Sequence, residues 1–334
     1  MPKVSIIIVN YNEKALIKDS LKALLRQSLG DFEAVIVDNA SSDGSLYEIK
    51  RFLAETSKAF LVKLIHLDKN LGFTGGNIEG LKYAEGEYIA LLNNDTEADR
   101  RWLAELVEAM DTDPKSGICA SKMIVYGTDI IDCAGDGFST ALKGFGEGEQ
   151  KESFLYNKRR YIFGACGGAA LYRRKMIEEI GFLDEDFFLI HEDIDLNFRA
   201  QLNEWKVLYV PTAIVYHKVR SSIGHMSDMA VYYTLRNSEF VRLKNIPLAI
   251  FIRCFPEFVV GILAEFIYFV IKHKRIGLYF KAKKDAIRMF PKMLKKRTVI
   301  MKNRKASDKY LLSIMTPVWQ KNYLIAKIKK FLYA

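Results

Sequence analysis

Two polar clusters in this chain have the residue types and spacing to do chemistry. The first ends the apolar run Tyr88-Ile89-Ala90-Leu91-Leu92, which stops abruptly on Asn93-Asn94-Asp95-Thr96-Glu97. Asp95 offers a carboxylate, and Asn93 lies two residues earlier on the same side of an extended chain. Hard oxygens so placed suit Mg²⁺ or Mn²⁺ bridging two phosphates. A polar strand end with a helix cap at Thr96 or Asp99 accounts for the same residues without a metal. The second cluster is His191-Glu192-Asp193-Ile194-Asp195. Acids at a helix start gain typically tenths of a kcal/mol up to about 1 kcal/mol from the helix dipole, which explains one of these carboxylates better than three. A base that deprotonates a hydroxyl needs a carboxylate within hydrogen-bond reach, often with a pKa raised by burial or a like-charged neighbour. Adjacent Glu192 and Asp193 supply that arrangement. His217 leaves an apolar run into Arg220-Ser221-Ser222-Ile223-Gly224, where it is a candidate to complete a metal shell or touch a pyrophosphate, against the commoner structural histidine.

The elements that must position these groups repeat in one order. A β-branched run at 4–9 ends in Asn10-Tyr11-Asn12, and Leu16, Ile17, Leu21, Leu24 and Leu25 then recur at helical spacing. A second strand at 32–37 closes on Asp38-Asn39-Ala40-Ser41-Ser42-Asp43-Gly44-Ser45, before a helix through Leu46, Ile49 and Phe52. A third, at 62–67, leads to the glycine-rich loop Asn70-Leu71-Gly72-Phe73-Thr74-Gly75-Gly76-Asn77 and a helix over 78–84; the fourth is 88–92. Strand followed by helix, repeated, predicts an α/β fold with a mostly parallel, doubly wound sheet. Each strand ends in a polar or glycine-rich loop, so the loops converge on one edge and build a single nucleotide site.

Beyond a helix at 102–110, the pattern predicts a short strand at 117–120 and a long excursion over 127–160 carrying a hairpin. Small-residue turns between strands follow at 161–172, then a helix from Lys175 and two short strands, 207–210 and 213–216, around Pro211.

Half of the 334 residues are apolar, ample for a substantial core in one large domain with an appendage or in two domains. The net charge of +10 is uneven: residues 272–334 hold 19 Lys or Arg against Asp285 and Asp308, leaving the remainder at −7. A basic tail of this kind meets an anionic membrane surface or nucleic acid, or is a solvated helical face. No nucleic-acid-binding motif accompanies it, and the acidic remainder repels phosphates, so nucleic acid is the weaker of the two partners. Segment 246–271 is strongly apolar but carries Arg253, Glu257, Glu265, Pro247 and Pro256, and so fails as a spanning helix. It reads as an interfacial helix in which Phe251, Phe255, Phe258, Val259, Ile262, Phe266 and Phe269 immerse while the lysines from Lys272 onward face lipid. The alternative is a helix packed on the preceding α/β domain or in a homodimer. Cys119, Cys133, Cys166 and Cys254 are scattered, which fits a reducing cytoplasm, and the opening run at 4–9 is too short for a signal peptide.

Taken together, 4–12, 37–45, 70–77, 91–95, 164–171, 187–195, His217 and Arg236-Asn237 resemble the family-2 glycosyltransferases of GT-A fold, particularly the bacterial rhamnosyltransferase-like branch, in family order over about residues 3–240. The resemblance implies a catalytic domain over 1–240, with a nucleotide-sugar half to about residue 100, and a basic amphipathic helical extension over 241–334. It implies that Asp38 contacts the base or ribose, that Asn10, Tyr11, Asn12, Asn77, Asn93 and Asn94 line the nucleotide, and that Asp95 and His217 attend Mg²⁺ or Mn²⁺. Glu192-Asp193 would be the acidic base motif. Asn93 stands where the family's pattern has its first Asp, so Asp95 alone supplies the carboxylate. The implied reaction is inverting transfer from a dTDP- or UDP-sugar, rhamnose first, to a lipid-linked or polysaccharide acceptor, in the cytoplasm at the inner membrane face.

Overall fold

The computed structural model describes residues 1–56, 60–218, 226–321 and 323–325. The first half alternates as expected: β1 (Val4–Asn10), α1 (Lys14–Leu25), β2 (Phe32–Asp38), α2 (Ser45–Thr56), β3 (Leu61–His66), α3 (Gly72–Leu81) and β4 (Tyr88–Leu92). Then come β5 (Thr96–Ala98), α4 (Trp102–Thr112), β6 (Ser116–Val125), β7 (Ile131–Cys133), β8 (Asp136–Ser139), β9 (Lys143–Gly146), β10 (Arg160–Ile162) and β11 (Ala169–Arg173). The remainder is α5 (Arg174–Ile180), α6 (Glu192–Leu202), β12 (Lys206–His217), α7 (Asp228–Asn245), α8 (Leu248–Arg253), α9 (Phe255–Phe266), α10 (Ile276–Arg288), α11 (Phe290–Lys302) and α12 (Asp308–Ile314).

The main sheet has the order β10-β12-β6-β11-β4-β1-β2-β3. Only β10 and β11 run against the other strands of that path. Successive residues of a strand enter different cores: Ile6 and Ile8 belong to one apolar cluster, Ile7 to the other. Burial on both faces is why these strands are continuous runs of Ile, Val and Leu. The order reverses beside β1, with β2 on one side and β4 on the other, so the carboxyl ends of β1 and β4 flank the switch-point crevice where open α/β sheets bind ligands.

Several local expectations are corrected. The glycine-rich segment expected as a loop is the start of α3, which begins at Gly72 rather than at Ile78. A Cβ on Gly76 would meet Val9 at 2.6 Å and one on Gly80 would meet Ile7 at 2.6 Å, so the glycines let this helix lie directly on β1. Close packing outweighs their poor helix propensity. The strand expected at 117–120 spans Ser116–Val125. The two strands around Pro211 are one, β12, whose pairing with β6 shifts register between Val210 and Ile214. Proline lacks the N–H a ladder needs and is tolerated at such an irregularity. The hairpin in the 127–160 excursion is β8-β9. Helix α7 runs through residue 240 and packs against α10 and α11.

In the C-terminal helices the expected immersing set divides. Phe255 and Val259 face outward, whereas Phe269 is buried and Phe251, Phe258 and Phe266 pack against the apolar clusters beneath. Lys296 pairs with Asp184 and Asp186, and Arg297 donates to the carbonyls of Leu243 and Ile246, so those two cations serve the fold. No helix among the described residues is long and apolar enough to cross a membrane. Lys329-Lys330 and the loop 220–224 lie outside the described residues.

Candidate active site

The carboxyl ends of β1, β2 and β4 meet. Asn94 Nδ2 donates to Asn10 Oδ1 at 2.9 Å across the switch point. Ser41 Oγ accepts from Asn12 N at 3.0 Å, and Asn12 Oδ1 accepts from Ser42 N at 2.7 Å, which ties the loops after β1 and β2 together. Tyr11 and Asn12 remain exposed, with Asn12 at φ 53°. Asp38 is fully buried; its Oδ2 is 2.8 Å from His66 Nδ1, while Oδ1 has no hydrogen-bond partner among the described residues. A buried acceptor left open at a cleft is one a ligand N–H or O–H can satisfy. Asn77 is the exception in this set: buried in α3, it donates its amide to Phe73 O one turn earlier.

Asp95 and His217 come together through β5, which pairs with the end of β12 and places His217 opposite Thr96. His217 Nε2 is 3.2 Å from Asp95 Oδ1, and His217 Nδ1 is 2.8 Å from Asp132 Oδ2. Burial alone would discharge the ring, but the hydrogen bonds to Asp132 and Asp95 outweigh it and push the pKa up to about 10. A carboxylate on the far nitrogen is the usual support of a metal-binding histidine. Among the described residues no cluster of three His, Cys, Asp or Glu side chains forms a metal cage. Asp95 and His217 offer at most two protein ligands, His217 only once its Nε2 gives up a proton, so the rest of a cation's shell would come from a diphosphate and water, as at Mg²⁺ sites on phosphates.

The acidic pair reaches the same cleft. Asn93 N donates to Gly168 O at 2.8 Å, and the adjacent Gly167 N donates to Asp193 Oδ2 at 3.0 Å. A Cβ on Gly167 would stand 3.3 Å from Asp193 Cβ, and one on Gly168 would stand 3.1 Å from Asn93 Nδ2. The glycine pair thus lets the end of β4 and the start of α6 approach one strand entry from two sides. Asn93, Glu192 and Asp193 line one cavity of about 380 Å³, with Phe73, Phe145 and Asp136. Burial raises the Asp193 pKa from its usual value, opposed by the N–H groups of Gly167 and Ile194. Burial, then the charge of Asp193, raises Glu192 well above its usual value, and Glu192 Oε2 has no hydrogen-bond partner among the described residues. His191 is held neutral, its pKa lowered to about 3 by burial and by Lys143 and Arg242. Asp195, the third carboxylate, is structural: it binds Arg199 at 2.9 Å and Lys244 at 2.8 Å.

The approach to this pair is strained. Phe188, Ile190 and His191 have φ of 65°, 67° and 71°, a region costing of order 1–3 kcal/mol per non-glycine residue unless its surroundings enforce it. Arg236 and Asn237, matched by resemblance but given no role, are what enforces it. Arg236 donates to the carbonyls of Asp186 and Phe187, and Asn237 Nδ2 to those of Phe187, Leu189 and Ile190. From the nucleotide side, Thr74 N donates to Phe188 O at 3.0 Å, and a Cβ on Gly72 would lie 2.3 Å from that oxygen. Asp132, His66 and the buried, cavity-lining Asp136 are site residues that the sequence reading did not name.

A switch-point cleft flanked by Asp38 and Asp95, with a second acidic pair brought across a glycine dipeptide, is the arrangement of a GT-A fold. The family model for glycosyl transferase family 2 matches residues 5–181, just over half of the chain. The chain belongs to that family. It is 24% identical over 264 residues to a poly-β-1,6-N-acetyl-D-glucosamine synthase of Staphylococcus epidermidis, covering 76% of this chain and 60% of the relative. It thus spans about 60% of the length of the first relatives it matches. Among solved structures, residues 1–349 of S. aureus TarS in complex with UDP-GlcNAc superpose with a TM-score of 0.59 at 19% identity, covering 98% of this chain and 91% of that one. The Pyrobaculum calidifontis mannosyltransferase PcManGT, solved with GDP-Man and Mn²⁺, gives 0.52 at 17% identity, covering 99% and 87%.

Proposed function

We propose that this chain is an inverting glycosyltransferase that moves a sugar from a nucleoside-diphosphate donor to a lipid-linked or polysaccharide acceptor in cell-envelope glycan synthesis, at the inner face of the membrane. The observation that carries this reading is that Asn93 and Asp193 line one cavity, with Asp95 and His217 in contact just beyond the end of β4. Asp38 Oδ1 is open to an N–H or O–H of the base or ribose, and Asn10, Asn12 and Asn94 brace the loops around it. Tyr11 and Asn77 keep the nucleotide-lining roles given them by resemblance. Asp95 and His217 would hold Mg²⁺ or Mn²⁺, whose charge offsets that of the leaving diphosphate.

Asp193 takes the proton of the acceptor hydroxyl. The oxygen attacks the anomeric carbon in line, the bond from that carbon to the phosphate oxygen breaks, and its electron pair leaves with the nucleoside diphosphate. The proton ends on Asp193 and no covalent sugar–enzyme bond forms. Burial raises the Asp193 pKa and so makes it a better proton acceptor, while the charge of Asp193 adds to the burial that keeps its neighbour Glu192 protonated.

The resemblance favours dTDP-rhamnose, whereas the relatives' names favour UDP-N-acetylglucosamine, so a screen sets these two against GDP-mannose with Mn²⁺ and Mg²⁺. Release of nucleoside diphosphate from one of them, enhanced by a glycan acceptor, is expected. Absence of calorimetric binding of any nucleoside diphosphate with either cation would overturn the reading.

A further inference from the structure

Helices α8 and α9 follow one another with only Cys254 between them, and a π-helical turn, Ile267–Lys272, continues α9. Leu248, Ile252, Phe255, Leu263 and Ile271 recur at intervals of three, four and eight residues, which puts them on one face, and are 50–65% exposed. The opposite face, with Ile250, Cys254 and Phe269, is buried. A single exposed leucine is ordinary, but an apolar row several turns long marks a surface that something covers. On α10, exposed Ile276, Phe280 and Ile287 are interleaved with exposed Lys281, Lys284 and Arg288; on α11, Leu294 and Val299 alternate with Lys295 and Lys302.

Of the charges beside these apolar residues, Arg288 binds Asp285 and Lys281 lies over the Tyr232 ring, but most lack a carboxylate partner among the described residues. Arg253, Lys274, Lys281, Lys284 and Lys295 are exposed and have no carboxylate partner among the described residues, in contrast to the paired Lys283, Lys292 and Lys296. A two-fold contact with a second copy would bring basic surface against basic surface. Nucleic acid would neutralise the lysines and leave the row from Leu248 to Ile271 in water. An anionic bilayer satisfies both requirements.

We propose that the exposed face of α8, α9 and α10 seats the protein on an anionic lipid leaflet. The apolar row enters the boundary between headgroups and acyl chains, and the unpaired cations lie against lipid phosphates. The seat joins the cavity through one hairpin. A Cβ on Gly261 of α9 would be 3.0 Å from Ala141, Glu265 binds Lys143 at 2.8 Å, and Gly144, Phe145 and Gly146 of β9 line the cavity that holds Asp193. An acceptor tethered to that leaflet would therefore meet the cleft from the β8-β9 side, a consequence that rests on the proposed transfer reaction; the seat itself does not.

The test is sedimentation of the full chain with phosphatidylcholine vesicles, with and without phosphatidylglycerol. Binding to the phosphatidylglycerol vesicles is expected, weakening with salt and by about fivefold for each of Lys281→Ala and Lys284→Ala. The double variant Ile252→Asp/Leu263→Asp, with its melting temperature as a folding control, is expected to remain in the supernatant while still binding nucleoside diphosphate. Three results would overturn the proposal: no binding to anionic vesicles, equal binding to both vesicle types, or a dimer by light scattering that the aspartates dissociate. None of these affects nucleotide binding in the cleft, so the two readings fail separately.

Discussion

Asp193→Asn separates chemistry from binding. The wild-type carboxylate accepts from Gly167 N at 3.0 Å and from Ile194 N at 2.7 Å. An asparagine of the same shape keeps one of these bonds and turns an amide toward the other N–H. One net hydrogen bond is worth about 1 kcal/mol, or about 2–4 °C in melting temperature for a domain of this size, so the variant is expected to fold. Loss of a positioned general base removes about 10²- to 10⁴-fold of rate, roughly 3–5 kcal/mol at the transition state. Turnover, followed as nucleoside diphosphate released with acceptor present, should fall by that factor, while calorimetric nucleotide affinity stays within about twofold, a few tenths of a kcal/mol. Burial places the pKa of Asp193 above the ordinary carboxylate value. The base works deprotonated, so wild-type activity is lost as pH falls through that raised value, and the residual activity of Asp193→Asn should show no such limb. Turnover within tenfold of wild type, or nucleotide affinity lost together with turnover, would refute the assignment.

Further outcomes follow from neighbouring contacts. Asp95→Ala should remove the Mn²⁺-dependent part of nucleotide affinity, and equal calorimetric affinity with and without Mn²⁺ in wild type would contradict the metal assignment. Asp132→Asn loosens His217 from its far side and should weaken Mn²⁺ binding in the presence of nucleoside diphosphate by about 10- to 100-fold, read by Mn²⁺ paramagnetic resonance; unchanged affinity would leave Asp132 a structural partner only. Asn237→Ala frees the Leu189 and Ile190 carbonyls of the strained 187–190 segment, Phe187 O keeping its bond from Arg236, and should cost about 1–3 kcal/mol in urea unfolding, with faster amide exchange over 187–192; exchange unchanged there would show the strain is held elsewhere. Glu192 has a folded pKa above its unfolded value, so its stabilising contribution is complete below about pH 4.3 and is lost as pH rises through the folded pKa. Glu192→Gln should therefore gain stability relative to wild type with increasing pH, and a urea-midpoint difference independent of pH would refute it.

Much of the nucleotide half was legible because its signals are local. Four apolar runs each stop on polar residues; burial on both faces of a parallel sheet produces that pattern in β1, β2 and β4, and β3 is the half-exposed edge strand, so β1 to β4 and the ligand edge followed directly. The start of α3 was not legible: Gly72, Gly75 and Gly76 argue against helix by propensity, and what favours helix is their fit against Val9, Ile7 and Phe188, contacts made only after the sheet has formed. The same holds for β12, where Pro211 reads as a break until pairing with β6 accommodates it as a shift of register.

The site divides along the same line. Asp95, Glu192 and Asp193 sit at element ends, where a change from apolar to charged residues is visible in one dimension. Asp132 and Asp136 lie in an excursion without periodicity, and each acquires meaning only from a partner far along the chain: His217 for Asp132, Asp193 and Asn197 for Asp136. The outward face of α8 and α9 shows how far amphipathic reading goes. The composition of 246–271 called for an immersed helix with its phenylalanines leading, yet most of those rings are the larger apolar surface and yield more by packing on α7 and the β8-β9 turn. Burying the phenylalanines inward leaves Leu248, Ile252, Leu263 and Ile271 outside, so the side facing solvent is set by what the core takes first.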